Sequence, residues 1–231
     1  MIVRQLWRYP VKSLGGEQLE SSAADENGLL GDRGWGLVDN ATGNVLTARR
    51  EPQLLFASAR LAGPDDVEVV LPDGSVTADS DVLSAWLRRP VTLQRAGDDG
   101  GTYENPRDIE NDTDWVAWQG PGQAWHDSGN SRVSLVSTTT IGDWDVRRFR
   151  PNVVLDGAGE DDLVGTRMTL GSVTLDITGR ITRCVMVSRP QPGLDRDLDV
   201  LRTINRARDG RLSVGALVAN PGVVAVGDVL H

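Results

Sequence analysis

Short apolar runs separated by turn residues recur along this sequence, and they restrict the fold more than any other feature. Residues 67–71 form one such run, which stops at the Pro-Asp-Gly turn of residues 72–74, and residues 173–178 form another. β-Branched residues bounded by Gly, Pro, Asn and Asp are typical of strands joined by tight turns. Helical spacing is confined to short segments, such as the one that follows residues 79–81. The pattern predicts strands throughout, and 231 residues allow one large β domain or two small ones.

The net charge and the cysteine content restrict the kinds of partner and the cellular compartment that we expect for this protein. The net charge of −9 excludes nucleic acid as the main partner, so any anion site must be a local basic pocket. No apolar stretch approaches the length of a membrane span, and the N-terminus lacks the pattern of a signal peptide. A single cysteine excludes a disulfide framework and fits a reducing compartment, so we expect a cytoplasmic protein without a membrane partner.

That single cysteine, Cys184, follows a predicted strand and lies between two basic residues, Arg180 and Arg183. Guanidinium groups beside a cysteine favour the thiolate, which is the form that attacks electrophiles and binds metals. The alternative is a buried thiol that packs as a small apolar side chain. The sequence around Cys184 leaves both interpretations open.

Lys12 is the only lysine among 24 basic residues. It follows Tyr9-Pro10, where a strand should end, and it precedes Ser13 and the glycine pair of residues 15–16. Loop amides, a hydroxyl and an ammonium group can together bind an anion. A plain Gly-Gly turn explains the glycines equally well.

Three arginines should meet at one end of a predicted hairpin. The turn at residues 40–43 joins two strand-like runs, which places Arg33 at the same end as Arg49 and Arg50. Such a cluster needs negative charge nearby. Asp32 and Glu51 could supply it in a surface salt-bridge cluster, or an anionic ligand could bind there.

Arg148, Arg150 and Asn152 lead into an apolar run at residues 153–155. Strand alternation would put the two arginines on one face and Phe149 on the other. Basic side chains at the start of so apolar a strand suggest that this face lines a cavity.

Residues 97–129 are polar and rich in Gly and Asp, and we expect a long irregular connection there. It ends at His126-Asp127-Ser128, whose adjacent residues cannot face one another as a hydrolase triad. With His231 the only other histidine, a histidine-based zinc site is improbable. The turn could bind phosphate or an amide, but the local sequence favours a plain turn without a ligand. Farther along, residues 212–219 and 223–229 should form a hairpin that closes a barrel.

Six short motifs, in order, resemble the MOSC-domain family (molybdenum cofactor sulfurase C-terminal) with its N-terminal β-barrel partner. The resemblance is greatest to the branch of the mitochondrial amidoxime-reducing component and its bacterial counterparts. The motifs are Tyr-Pro-Val-Lys-Ser (9–13), Gly-Asp-Arg-Gly-Trp (31–35), Thr-Ala-Arg (47–49), Arg-Phe-Arg-Pro-Asn (148–152), Arg-Cys (183–184), and Pro-Gly (221–222) followed by Val-Gly-Asp (226–228).

The resemblance implies a mostly β fold, a β-barrel with a few short helices, in which two β-rich parts enclose a cofactor cleft. The expected parts are an N-terminal MOSC β-barrel domain at residues 1–95 and a MOSC domain at 96–231. The implied cofactor is the molybdenum cofactor (molybdopterin), with Cys184 as metal ligand and catalytic residue; pyridoxal phosphate is not expected. The positions implied to bind the cofactor are Lys12, Ser13, Arg33, Arg49, Asp127, Ser128, Arg148, Arg150 and Asn152.

The implied function is an oxidoreductase that reduces small N-oxygenated (N-hydroxylated) compounds with electrons from a separate reductase. One alternative is a sulfur carrier that uses a Cys184 persulfide. Another is a cofactor-binding protein without turnover. The loop after Cys184 is more basic and richer in proline than the reductase pattern, which leaves the substrate and the electron donor open.

Overall fold

The computed structural model describes residues 1–108 and 113–231, and it confirms a mostly β fold, with strands over 41% of the chain and helices over 17%. The strands are β1 (Val3–Arg8), β2 (Glu17–Leu19), β3 (Ser21–Asp25), β4 (Gly28–Leu29), β5 (Trp35–Asp39), β6 (Ser58–Leu61), β7 (Val67–Val70), β8 (Val76–Thr77), β9 (Val91–Arg95), β10 (Thr102–Asp108), β11 (Thr113–Gln119), β12 (Val133–Ser137), β13 (Val153–Leu155), β14 (Arg167–Leu170), β15 (Val173–Thr182), β16 (Arg211–Asn220) and β17 (Gly222–Ala225). The α-helices are α1 (Ser80–Leu87), α2 (Thr138–Ile141) and α3 (Leu198–Arg208). Short 3₁₀ turns lie at Pro52–Phe56, Val146–Arg148, Glu160–Leu163 and Val185–Ser188.

A curled, half-barrel sheet of seven strands forms the larger part of the fold. Its strand order is β14-β15-β16-β12-β13-β1-β2, and β12 and β13 are its parallel neighbours. In the first half of β15 every second side chain is buried, at Val173, Leu175 and Ile177. This period of two places one face of the strand in the core.

A second core lies under β5 to β9. Asp79 caps α1 by accepting a hydrogen bond from the backbone of Asp81, as the sequence predicts, and Leu83 of this helix is fully buried. The expected hairpin after Trp35 is present only in part. Val38 and Val45 form a single bridge, whereas β5 takes its ladder from β9.

The expectation of an irregular connection at residues 97–129 is wrong for β10 and β11, which together make up 14 of these residues. β10 and β11 form an antiparallel ribbon, in which Tyr103 and Trp118 face each other with stacked rings 5.6 Å apart. Cross-strand aromatic pairs of this kind stabilise a ribbon. Residues 109–112, which belong to the predicted connection, lie outside the described residues.

The predicted closing hairpin is also wrong. β16 is hydrogen-bonded on one side to β15 and on the other to β12, so neither edge is free for the next strand. The chain leaves the sheet at Pro221, and β17 pairs with β3.

The first strands therefore belong to sheets built largely from later residues. β1 and β2 extend the seven-stranded sheet, while the loop after β1 carries Val11 and Leu14 into the second core. The division at residues 95 and 96 stays a prediction. Within the described parts of the chain, none of the helices combines the length and apolar character that crossing a bilayer requires.

Candidate functional site

A cleft of about 160 Å³ lies between the two cores, and a smaller cavity of about 40 Å³ adjoins it. The two share Arg33, Arg49, Asp127, Arg150 and Met186 as lining residues. All ten residues that the resemblance singles out line one or both. Arg33, Arg49, Asp127, Ser128, Arg148, Arg150, Asn152 and Cys184 line the cleft, and Lys12 and Ser13 line the smaller cavity. Their roles in binding stay predictions.

Cys184 lies just beyond β15, where the chain leaves the sheet and begins the 3₁₀ turn Val185–Ser188. Its thiol is partly buried, and Arg49 donates to its sulfur across 3.6 Å. Of the two neighbouring arginines, Arg183 lines the cleft. Arg180 instead pairs with Asp161, so the expectation that it flanks the thiol is wrong. The cation that contacts the sulfur comes from a distant loop.

The side chain of Lys12, which lines the smaller cavity, forms a salt bridge with Asp127, which lines both cavities. Its ammonium donates to Asp127 Oδ1 at 2.6 Å and to the Trp125 carbonyl at 2.9 Å, and it lies 4.2 Å from the ring centre of Tyr103. Burial lowers the pKa of Lys12, against the effect of Asp127. The positive charges of Lys12, Arg49 and Arg33 hold the pKa of Asp127 well below its usual range. Lys12 is 4% exposed and the Asp127 side chain 75%, so the carboxylate is the accessible member of the pair.

Tyr9 supports two of the arginines. Its ring centre lies 5.3 Å from the Arg33 guanidinium and 4.4 Å from that of Arg150. Arg33 also pairs with the buried Asp32, and Arg150 donates to the Leu14 carbonyl. Both arginines have positive φ angles, 55° and 52°, which are uncommon for residues with a side chain. Strained backbone thus directs both guanidiniums to one ring.

The predicted strand alternation around Phe149 is wrong. Arg148 ends a 3₁₀ turn, Arg150 is left-handed, and the strand begins only at Val153, so no ladder holds the arginines. Both reach the cleft nevertheless, and Phe149 lines it with them.

Backbone carbonyls, rather than carboxylates, position several cleft arginines. Arg148 donates to the carbonyls of Val187, Arg189 and Asp195. Arg183 donates to the carbonyls of Leu212 and Phe149 and to the Ser213 hydroxyl. Burial lowers the pKa values of Arg150 and Arg183 to about 10 each, which still leaves both charged at neutral pH. Positive charge therefore accumulates in the cleft of an acidic protein.

Two of the predicted polar residues have structural contacts already. Asn152 accepts from the backbone and hydroxyl of Ser134 and donates to the Trp7 carbonyl, which ties β12 to β1. Ser13 accepts a hydrogen bond from the amide of Ala48. Their side chains hold the walls of the cavities in place, whatever else they contact.

Several lining residues were not predicted from the sequence: His126, Ser131, Arg132 and Met186 in the cleft, and Thr47 in the smaller cavity. The Thr47 hydroxyl is buried without a hydrogen-bond partner among the described residues. Arg50 was expected to join the cluster but pairs with Glu104 and stacks on Trp115.

The arrangement suits an anionic ligand that also contacts a thiol. Among the described residues, no three His, Cys, Asp or Glu side chains lie close enough together to hold a metal ion. Such side chains of the described residues alone could therefore not complete the coordination of a metal in the cleft.

Comparison with protein families identifies two matches along the chain. The MOSC N-terminal beta barrel domain matches residues 1–102, and the MOSC domain matches residues 123–231. Together they include both sides of the cleft.

Two kinds of curated relatives align with most of the chain. Molybdenum cofactor sulfurase of Drosophila grimshawi is 27% identical over 93% of this chain, which spans only 31% of that protein's length. Mitochondrial amidoxime-reducing component 1 of Homo sapiens is 25% identical over 99% of this chain and 82% of its own length.

Among solved structures, the YuaD protein from Bacillus subtilis has the same fold. Its TM-score is 0.52 at 14% identity, over 99% of this chain and 93% of that one. The two domain matches, in the order in which the motifs occur, show that the chain belongs to the MOSC family and carries the MOSC N-terminal β-barrel domain ahead of the MOSC domain.

Proposed function

We propose that this chain binds a molybdenum–pterin cofactor in the Cys184 cleft and reduces small N-oxygenated compounds. One observation carries the proposal: a partly exposed thiol lies in a cleft where Arg148, Arg150 and Arg183 donate to carbonyl groups and therefore keep their charge available. Relatives named for the molybdenum cofactor and for amidoxime reduction support this choice of ligand and reaction.

The residues present fit such a cofactor. Molybdenum accepts soft thiolate ligands, and Cys184 offers one. A phosphate group calls for arginine forks and loop donors, which Arg33, Arg148 and Arg150 can provide. The buried Thr47 hydroxyl, which lacks a protein partner among the described residues, gives the smaller cavity an unused polar group. An unpaired buried hydroxyl is costly unless a ligand or water satisfies it.

The chain's own residues would prepare this site for chemistry. Arg49 would stabilise the Cys184 thiolate, and Asn105 orients Arg49 by accepting from its guanidinium. Lys12 and Asp127 would hold a fixed pair of charges at one side of the ligand. Ile181 and Val187 would exclude water from the other side. When bound, the cofactor would supply the two-electron centre that accepts oxygen from the substrate.

Electrons would come from a separate reductase. The 231 residues contain one cysteine, too few for an iron–sulfur cluster held by cysteines. We expect both proteins in the cytoplasm, because a lone cysteine that must stay reduced suits that compartment.

Metal analysis tests the proposal. We expect wild-type protein, produced in a host that makes the cofactor, to contain molybdenum and pterin in near-equal amounts. Cys184→Ser should lose most of the molybdenum while its urea unfolding midpoint stays close to that of wild type. Arg60→Met serves as a control, since Arg60 pairs with Glu68 on the surface, away from the cleft.

Two results would contradict this assignment. Full molybdenum in Cys184→Ser would remove the cysteine from the metal site. A large fall in its unfolding midpoint would instead make Cys184 a structural core residue.

The sulfur-carrier alternative is favoured by the partial exposure of Cys184 and by the sulfurase relatives. A carrier would hold a persulfide, and cyanide would take its outer sulfur as thiocyanate and leave the thiol. We expect almost no thiocyanate from the molybdenum-loaded protein. Stoichiometric thiocyanate from metal-free protein that also passes sulfur to an acceptor would establish the carrier. Bound cofactor without either activity would indicate a binding protein.

A further inference from the structure

His126 is a buried titratable side chain that lines the cleft and has no part in the function proposed above. Its Nε2 lies 2.9 Å from the carbonyl oxygen of Asn27. A carbonyl oxygen can only accept, so Nε2 must carry the proton. In a neutral imidazole the other nitrogen, Nδ1, is then an acceptor. The Asn27 carbonyl thus selects one tautomer.

The surroundings keep this ring neutral. Burial, followed in effect by the nearby charge of Arg33, lowers the pKa of His126 to about 3. Arg132 adds to this effect, and Asp32 opposes it. At physiological pH the ring therefore carries one proton, and the Nε2–Asn27 hydrogen bond uses it.

Hydrogen-bond donors outnumber acceptors among the side chains of the cleft, where the acceptors are Asp127, Asn152 and the hydroxyls of Ser128, Ser131 and Ser134. Six arginines line it, and a guanidinium only donates: Arg33, Arg49, Arg132, Arg148, Arg150 and Arg183. Among the acceptors, Asp127 is paired with Lys12, and Asn152 Oδ1 receives two hydrogen bonds from Ser134. A ligand that carries N–H groups as well as negative charge would need a further acceptor.

We propose that His126 is a ligand-binding residue whose Nδ1 accepts a hydrogen bond from an N–H or O–H group of the molecule in the cleft. The identity of that molecule rests on the proposed function: the donor belongs either to the pterin ring or to the N-hydroxylated substrate. The tautomer does not depend on the proposed function, so it can be tested without cofactor.

Nitrogen-15 NMR of the cofactor-free protein tests the tautomer directly. The chain has two histidines, so a His231→Gln variant assigns the two ring spectra. We expect His126 to show a protonated Nε2 and a bare Nδ1 at every pH from 5 to 8. Sulfamate, an anion with N–H groups, should shift the Nδ1 signal, and sulfate should leave it almost unchanged. A cationic ring, a protonated Nδ1 or an equal response to both anions would overturn the proposal.

A pair of variants tests ligand binding in the cofactor-loaded protein. His126→Gln can keep the donor to Asn27 but lacks an acceptor at the Nδ1 position, whereas His126→Asn places an oxygen close to that position. Loss of one hydrogen bond predicts a change of about fivefold in His126→Gln and a smaller one in His126→Asn.

The measurement that changes in His126→Gln shows whether the cofactor or the substrate donates the hydrogen bond to Nδ1. Reduced pterin content would assign it to the cofactor. An unchanged content with a raised KM for an N-hydroxylated amidine would assign it to the substrate. Equal behaviour of the two variants, or of His126→Gln and wild type, would overturn the proposal. Wild-type protein without molybdenum would refute the proposed function alone, and the NMR comparison would then decide the role of His126.

Discussion

Replacing Arg150 with methionine should stabilise the cofactor-free protein and weaken its hold on the cofactor. Burial lowers the pKa of Arg150 from 12.5 to about 10, so the folded protein holds this charge at a cost of roughly 3 kcal/mol. The sign follows from linkage: a cation whose pKa falls on folding destabilises the fold at every pH below about 10. The effect of Tyr9 is already contained in this pKa, whereas loss of the hydrogen bond that Arg150 donates to the Leu14 carbonyl should cost about 2 kcal/mol. The net gain should be about 1 kcal/mol.

Methionine suits this comparison because it keeps a side chain at a position with a φ of 52°, so backbone strain is unchanged. Urea unfolding of the cofactor-free proteins measures the gain, and molybdenum content after gel filtration measures retention, which should fall about tenfold. Arg60→Met should change stability by less than about 0.5 kcal/mol. A loss of more than 1 kcal/mol in cofactor-free Arg150→Met would show that Arg150 supports the fold and is not held in reserve for a ligand.

Three further predictions concern neighbours of the cleft. Asn105→Ala should lower cofactor retention about fivefold, because Arg49 loses a hydrogen bond that orients its guanidinium. Thr102→Ala on the same strand is the control, and equal retention in the two variants would refute the effect. Tyr9→Leu should reduce cofactor retention several-fold and Tyr9→Phe hardly at all, because the aromatic ring itself contacts the guanidiniums of Arg33 and Arg150. Equal losses in the two variants would show that the hydroxyl is the group that matters. His126 has a folded pKa of about 3, below its usual 6.5, so the unfolded chain takes up the proton first and stability falls as the pH drops below 6.5. Between pH 7 and pH 5, wild type should lose about 2 kcal/mol more than His126→Gln in urea titrations, and parallel curves would contradict the buried neutral ring.

The sequence predicts the positions around the cleft well because each belongs to a short local motif. A lone lysine in a glycine loop, a thiol at a strand end and arginines before an apolar strand are visible without knowledge of distant contacts. Lys12, Cys184 and Arg150 all line the two cavities, although the strand alternation invoked for Arg150 is wrong.

The remaining features depend on partners that are far away in the chain. The Tyr103–Trp118 stack that accompanies the β10–β11 ribbon becomes apparent only once the two strands are paired. The turn at Pro221 resembles a hairpin locally, but both edges of β16 are already occupied. His126 lies in a polar turn, and the carbonyl of Asn27 determines its tautomer. No local pattern contains this information.

The pairing of early strands with late ones also sets an order for biosynthesis. β1 pairs with β13, and β3 pairs with β17, so neither pairing can form until most of the chain has been translated. Until then β3 has only β4 as a neighbour, and its other edge would be open to pairing with other nascent chains. The Lys12 loop and the Cys184 turn come together only at that late stage. Any cofactor would therefore be inserted after synthesis, into a finished cleft.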